Sequence, residues 1–189
     1  MDEQEPGPVA LGVVVERDRG SLPFALLHGE PLVAWAASAM GEAGVHLLDL
    51  TTEWDAVREA GLPLVWHDAL CPGTPPDLIA ACVRRAVEAD VVVAAVLTVT
   101  DTVKELEVGA EGPVVGRTLD RDGLRHLASP LVLPPTVVAG LDGWPPADLQ
   151  DGLTALRARH TVELVAAPAT ALRVRDTTDV VRLAALTAP

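Results

Sequence analysis

Three consecutive stretches decide the fold: Val9-Ala-Leu-Gly-Val-Val-Val15, Glu16-Arg-Asp-Arg-Gly-Ser-Leu-Pro-Phe-Ala-Leu-Leu-His-Gly-Glu30 and Pro31-Leu-Val-Ala-Trp-Ala-Ala-Ser-Ala-Met40. The first is an apolar run, as a strand buried on both faces of a sheet must be. The third reads as a helix entered through proline. A strand, a loop and a helix at the start of an α/β chain form the usual grip for nucleotide phosphates. Such a grip needs glycines, free backbone N–H groups and a cation. This loop offers Glu16 and Asp18, a single glycine (Gly20) in its first half, and Phe24 where a lysine is expected.

The same alternation continues outward. Strands are predicted at Val9–Val15, Val45–Leu50, Leu62–Trp66, Val91–Val96 and Thr161–Ala166. Helices are predicted at Pro31–Gly41, Thr52–Ala60, Pro75–Ala89, Ala147–Arg159 and Thr177–Ala185. Thr51 or Thr52 is the expected N-cap of the second helix, and Thr177 that of the last. Strands alternating with helices predict a three-layer α/β domain, a mostly parallel sheet with helices on both faces. One domain accounts for residues 1–189. The stretch 98–118 breaks the pattern. It reads as two extended arms around Gly109-Ala-Glu-Gly-Pro113, with Val103, Leu106, Val108, Val114 and Val115 giving one apolar side. A projecting hairpin cannot bury such a side alone. It is therefore expected to pack on a second subunit, giving a homodimer. The simpler alternative is a hairpin folded on its own domain.

Composition narrows the function classes. The chain has 189 residues, 49% of them hydrophobic, and a formal net charge of −13. A surface this acidic repels nucleic acid and anionic lipid. No apolar run is long enough to span a membrane. The acidic start, Met1-Asp-Glu-Gln-Glu-Pro-Gly-Pro8, is unlike a secretion signal, so a cytoplasmic protein with Cys71 and Cys82 as free thiols is expected. Of the 14 cations one is a lysine, Lys104, and the rest are arginines.

Chemistry-bearing residues fall in ordered clusters beyond the first loop. They are Trp66-His-Asp-Ala-Leu-Cys-Pro72, Val99-Thr-Asp-Thr-Val-Lys104, Thr118-Leu-Asp-Arg-Asp-Gly-Leu-Arg-His-Leu-Ala-Ser-Pro130 and Leu172-Arg-Val-Arg-Asp-Thr-Thr-Asp-Val180. In order and spacing this set resembles the 2-C-methyl-D-erythritol 4-phosphate cytidylyltransferases of the non-mevalonate isoprenoid pathway. The resemblance runs over nearly the whole chain and implies a Rossmann-like nucleotidyltransferase fold. It also implies transfer of a cytidylyl group from CTP to a sugar-alcohol phosphate, with release of pyrophosphate and the help of Mg²⁺. Position by position, Asp68 of His67-Asp-Ala69 matches a Mg²⁺ ligand. Lys104, Arg121 and Ser129 match residues on the sugar-phosphate side, and Arg173 matches a lysine facing the α-phosphate. Arg121 and Arg173 are thus the candidate catalytic cations. Arg17, Arg19 and Gly20 are what remains of the nucleotide loop.

The departures concentrate on the triphosphate side. Glu16-Arg-Asp18 stands where the family has Ala-Ala-Gly, Pro23-Phe24 replaces Pro-Lys, and Cys71 takes an arginine's place. Losing one preorganised charge stabiliser costs roughly 10²–10³ in rate. The expectation is a protein that keeps the fold, has lost or strongly reduced CTP transfer, and acts through ligand binding or dimerisation. A working nucleotidyltransferase, with Arg17 or Arg19 supplying the missing charge, is one alternative. A structural or interaction module with a vestigial pocket is the other. For each residue a plainer role stands beside the sharper one. Asp68 would cap the turn after its strand, Lys104 would be solvated, and Arg121 and Arg173 would pair with carboxylates. His67 and Cys71 lack a third zinc ligand, and Cys71 lacks a base to make it a nucleophile.

Overall fold

The apolar runs do become the strands of one sheet. The computed structural model describes residues 9–49, 51–109 and 112–188. In chain order the elements are β1 (Ala10–Val15), β2 (Leu26–Leu27), β3 (Glu30–Pro31), α1 (Leu32–Glu42), β4 (Val45–Leu47), α2 (Trp54–Glu59), β5 (Leu64–Asp68), α3 (Pro76–Ala89) and β6 (Val92–Thr98). There follow β7 (Val103–Gly109), β8 (Gly112–Leu119), β9 (Arg125–Leu133), α4 (Pro135–Ala139), α5 (Leu149–Arg157), β10 (Val162–Ala166) and α6 (Thr177–Leu186). The main sheet has six strands in the order β10-β6-β9-β5-β1-β4. All its pairings are parallel except those of β9, which runs antiparallel to both β5 and β6. Alternate side chains feed two cores. Leu11, Val13, Leu64, Trp66 and Leu131 meet α2, α4 and α5 on one face, and Ala10, Val65, Val93 and Val132 meet α1 and α3 on the other. This is the three-layer α/β architecture expected from the sequence. Among the described residues no helix is long and apolar enough to cross a membrane.

Strand β9 is the element the sequence reading did not anticipate. Proline has no N–H to give a ladder and argues against a central strand. Pro130 nevertheless lies mid-strand. The register slips between the pairs Ala94↔Leu131 and Val96↔Leu127, and this irregularity takes up the proline without breaking the sheet. Helix α4 was also not anticipated. Two predicted caps are corrected. Asp49 Oδ1 accepts from the Thr51 N–H at 2.7 Å, so the chain turns there and α2 starts later, after Glu53. In α6 the cap is Asp176, whose carboxylate accepts from the N–H groups of Thr178 and Asp179, rather than Thr177.

The hairpin β7–β8 forms its own two-stranded sheet, and the predicted turn residues Ala110 and Glu111 lie outside the described residues. Leu106, Val108, Val114 and Val115 are all more than half exposed in the single chain. A small third core of Leu27, Leu32, Leu70, Val174 and Leu183 seats α6 beside the β5 loop.

Gly73 sets how closely that loop approaches the segment leading to α6. A Cβ there would collide with the Thr170 carbonyl oxygen and lie 2.8 Å from Leu183 Cδ1. The approach allows Val174 N–H to bond Leu70 O at 2.7 Å. Gly73→Ala is expected to destabilise the protein by about 1–3 kcal/mol through overpacking against backbone, read from the urea unfolding midpoint. An unchanged midpoint would show that the two loops are not held at this distance.

Candidate functional site

The C-terminal edge of β1, β5, β6 and β10 is the ligand side expected of such a sheet. A cleft of about 500 Å³ opens there, and Asp68, the last residue of β5, lies at its floor. Its backbone N–H donates to Ser129 Oγ at 2.9 Å, and Ser129 Oγ lies 2.7 Å from His67 Nδ1. Its carboxylate is 3% exposed. Oδ1 accepts from the Leu70 N–H at 2.9 Å and from Arg19 Nε at 3.4 Å. Oδ2 accepts from Arg173 Nε at 2.9 Å and from Arg19 Nη2 at 3.3 Å. The Arg19 side chain is 7% exposed and also reaches the Ala147 carbonyl and the Asp148 carboxylate. A tryptophan cluster fixes that last loop. Trp54 donates to Leu141 O, Trp144 donates to Thr52 O, and the Trp144 ring lies 5.2 and 5.7 Å from those of Trp54 and Trp66.

Further charged groups line the cleft: Asp101, Asp148, Asp179, Arg175 and Arg182. Arg175 Nε donates to Asp179 Oδ2 at 2.9 Å, and this bond holds the Asp179 carboxyl below the usual carboxylate range. Counting Arg19, four arginines face four aspartates around the floor and walls. The cleft is therefore close to neutral.

The Mg²⁺ implied by the resemblance does not fit these residues. Magnesium demands near-octahedral oxygen ligation, and both Asp68 oxygens are taken by N–H groups. Two guanidiniums beside the ion would each oppose it by about 4 kcal/mol per pair of unit charges at 4 Å and an effective dielectric of 20. Among the described residues no group of three His, Cys, Asp or Glu side chains is placed to hold a metal. Cys71 is buried, and burial pushes its thiol well above the ordinary range, which rules out a resting thiolate. Burial pushes the Cys82 thiol up to about 12.

Comparison of the sequence and fold with known proteins points to one family. No family model matches the chain. It is 30% identical to the 2-C-methyl-D-erythritol 4-phosphate cytidylyltransferase of Bordetella petrii, over 61% of this chain and 66% of that protein. It is 44% identical to the Frankia casuarinae enzyme of the same name over 64 residues, 34% of this chain and 23% of that one. The chain belongs to the 2-C-methyl-D-erythritol 4-phosphate cytidylyltransferase family. The matched regions span less than two thirds of the length of either curated relative. The fold agrees. The crystal structure of the Thermus thermophilus cytidylyltransferase superposes with a TM-score of 0.67 at 21% identity, covering 95% of this chain and 98% of that one. The 4-diphosphocytidyl-2C-methyl-D-erythritol synthase of Anaerococcus prevotii does so with a TM-score of 0.64 at 11% identity, covering 95% and 98%.

Within this family frame, the structure brings Arg19, Asp68 and Arg173 together and leaves other candidates apart. Arg17 is exposed and contributes its carbonyl to Arg19. Gly20, with φ +59°, serves the loop's turn and has open space around it. Lys104 donates to Thr118 Oγ1 on the exposed hairpin, and Arg121 donates to the Thr100 carbonyl; neither lines the cleft of the single chain. Ser129 is fully buried, so its hydroxyl supports Asp68 and His67 from behind rather than facing a ligand. Arg175 and Asp179 lie in the 172–180 cluster but were given no role there, and Arg182 was missed. Their spacing of four and three places them along one side of α6 and its approach, which was the available signal.

His67 is fully buried, and burial lowers its pKa to about 4. The fold thus prefers neutral imidazole, and the unfolded chain takes up the proton first. Stability from this group is complete above about pH 6.5 and is lost as pH falls toward 4, by about 3 kcal/mol in all. Urea unfolding at pH 7 and pH 4.5 is expected to show this loss, and His67→Gln to flatten it. An equal pH slope in both proteins would assign it to other groups.

Proposed function

We propose that this chain keeps the family's fold but has lost, or strongly reduced, CTP transfer, and that it acts in the cytoplasm by ligand binding or dimerisation. One observation carries the reading: Arg19 and Arg173 both sit on Asp68, so the carboxylate assigned to the metal is already neutralised. A nucleoside triphosphate brings several negative charges into a near-neutral cleft on a chain of net charge −13. Exposed Glu16 and Asp18 in the first loop add repulsion where glycines and a lysine would attract. Transfer of a nucleotidyl group depends on positioning and on charge stabilisation at the phosphorus. With the metal ligand occupied and the loop's glycines and lysine replaced, both are weakened. The bound ligand is a sugar phosphate or a nucleotide held less tightly than by the relatives.

A second reading, a working nucleotidyltransferase, is favoured by one specific fact. Arg19, in the loop after β1, reaches Asp68 at the floor of the cleft with a side chain only 7% exposed. It supplies one cation on the triphosphate side.

Protein incubated with CTP, Mg²⁺ and 2-C-methyl-D-erythritol 4-phosphate is expected to release pyrophosphate at least about 10³-fold more slowly than an active family member. Turnover within about tenfold of such an enzyme, abolished by Arg19→Gln, would overturn the first reading and establish the second. Dimerisation has its own check. Removal of residues 105–115 is expected to convert a dimer to a monomer in light scattering. An unchanged mass would place the association elsewhere.

A further inference from the structure

The disagreement between Asp68 and a metal has a chemical consequence for what the cleft holds. We infer that Asp68 is a fixed counter-ion for Arg19 and Arg173 in place of a divalent cation. The cleft then takes a phosphate dianion, free or as a small phosphomonoester, on Arg173 and Arg182 without any metal. This inference rests on the reading that CTP transfer is lost.

Three observations support it. Arg173 spends only its Nε on Asp68. Among the described residues, neither its terminal nitrogens nor any nitrogen of Arg182 has a hydrogen-bond partner, and both side chains line the cleft. Free guanidinium N–H groups in a recess are suited to phosphate oxygens, which they bind through short, charge-assisted bonds. Asp68 holds Arg173 by an ion pair at 2.9 Å, so one of these donors is oriented before a ligand arrives. Preorganisation of this kind lowers the ordering cost of binding.

The carboxylates of the cleft argue against a cation more strongly than against an anion. Asp68 is engaged by two arginines and Asp179 by Arg175, while Asp148 Oδ1 caps α5 through the N–H groups of Gln150 and Asp151. Asp101 remains, and one carboxylate does not make a magnesium site. A volume of about 500 Å³ accommodates a phosphate with a short polyol. His126 and Gln150 on the walls offer further polar groups to such a body.

The test uses the whole chain. Inorganic phosphate and erythritol 4-phosphate are titrated calorimetrically in EDTA and again in Mg²⁺, and Mn²⁺ alone is titrated by its electron paramagnetic resonance signal. Equal phosphate affinity with and without metal, and an unchanged Mn²⁺ signal, are expected. Arg173→Gln and Arg182→Gln are each expected to weaken phosphate binding about 10-fold or more. Arg182 is exposed, so its variant reads binding without disturbing the core. Tighter binding of the ester than of inorganic phosphate identifies an esterified ligand, and equal affinity identifies free phosphate. Mn²⁺ bound by the unaltered chain, phosphate binding that requires a divalent cation, or no phosphate binding at several millimolar would each overturn the inference and leave the loss of CTP transfer standing. Pyrophosphate release from CTP would instead overturn the functional reading beneath it.

Discussion

One buried carboxylate, that of Asp68, ties the loops of this domain together. Taking a carboxylate out of water is costly unless it is paired and hydrogen-bonded. Asp68 satisfies that demand by drawing partners from distant parts of the chain. Arg19 comes from the loop after β1 and Arg173 from the loop after β10. Leu70 N–H closes the turn on Asp68 itself, and Ser129 of β9 holds its backbone from behind. Ala69 N–H bonds Val15 O, which joins the same turn to the end of β1. Remove the charge, and Arg19 is left nearly buried without its main partner. Segments more than a hundred residues apart in sequence share this one electrostatic anchor.

That anchor also sets the chemical character of the cleft. The family's fold places its ligand edge at the ends of the parallel strands, and this chain keeps the edge but balances its charges internally. Arginine meets aspartate on the cleft's floor and wall, Arg19 and Arg173 on Asp68 and Arg175 on Asp179. What is left over is directional: N–H groups of Arg173 and Arg182 with no internal partner among the described residues. The recess selects for geometry more than for total charge. The acidic exterior of the molecule reinforces this, since it discourages polyanions from approaching.

Much of this was legible in the sequence. The apolar runs at Val9–Val15, Leu62–Trp66 and Val91–Val96 and the spacing of the helices were sufficient for the three-layer plan, because strand and helix periods differ strongly. Asp68, Arg19 and Arg173 were each singled out, but not their mutual contact, since ion pairs between loops 49 and 105 residues apart leave no local pattern. Strand β9 was hidden because Pro130 sits at its centre and because its first residues, Arg125 and His126, are polar. Ser129 was placed on the sugar-phosphate side by resemblance alone, whereas the structure buries it. Its burial follows from pairing with both β5 and β6, which only the sheet order reveals.

The position of β9 governs how this sheet can be assembled. Strands β5 and β6 follow one another in sequence but never pair; β9 lies between them. Its partners are far back along the chain, as in Leu64↔Leu133 and Trp66↔Leu131. Until β9 arrives, β4, β1 and β5 form one half-sheet and β6 stands apart, with an unpaired edge on each side of the gap. Closing the gap requires the chain to pass out through the hairpin and back, so the decisive contacts are long-range and their entropy is lost before they are rewarded. The domain thus has no early, self-sufficient half. The chain up to residue 124 already carries four of the six strands, yet they join into one sheet only when the nine residues of β9 thread its centre.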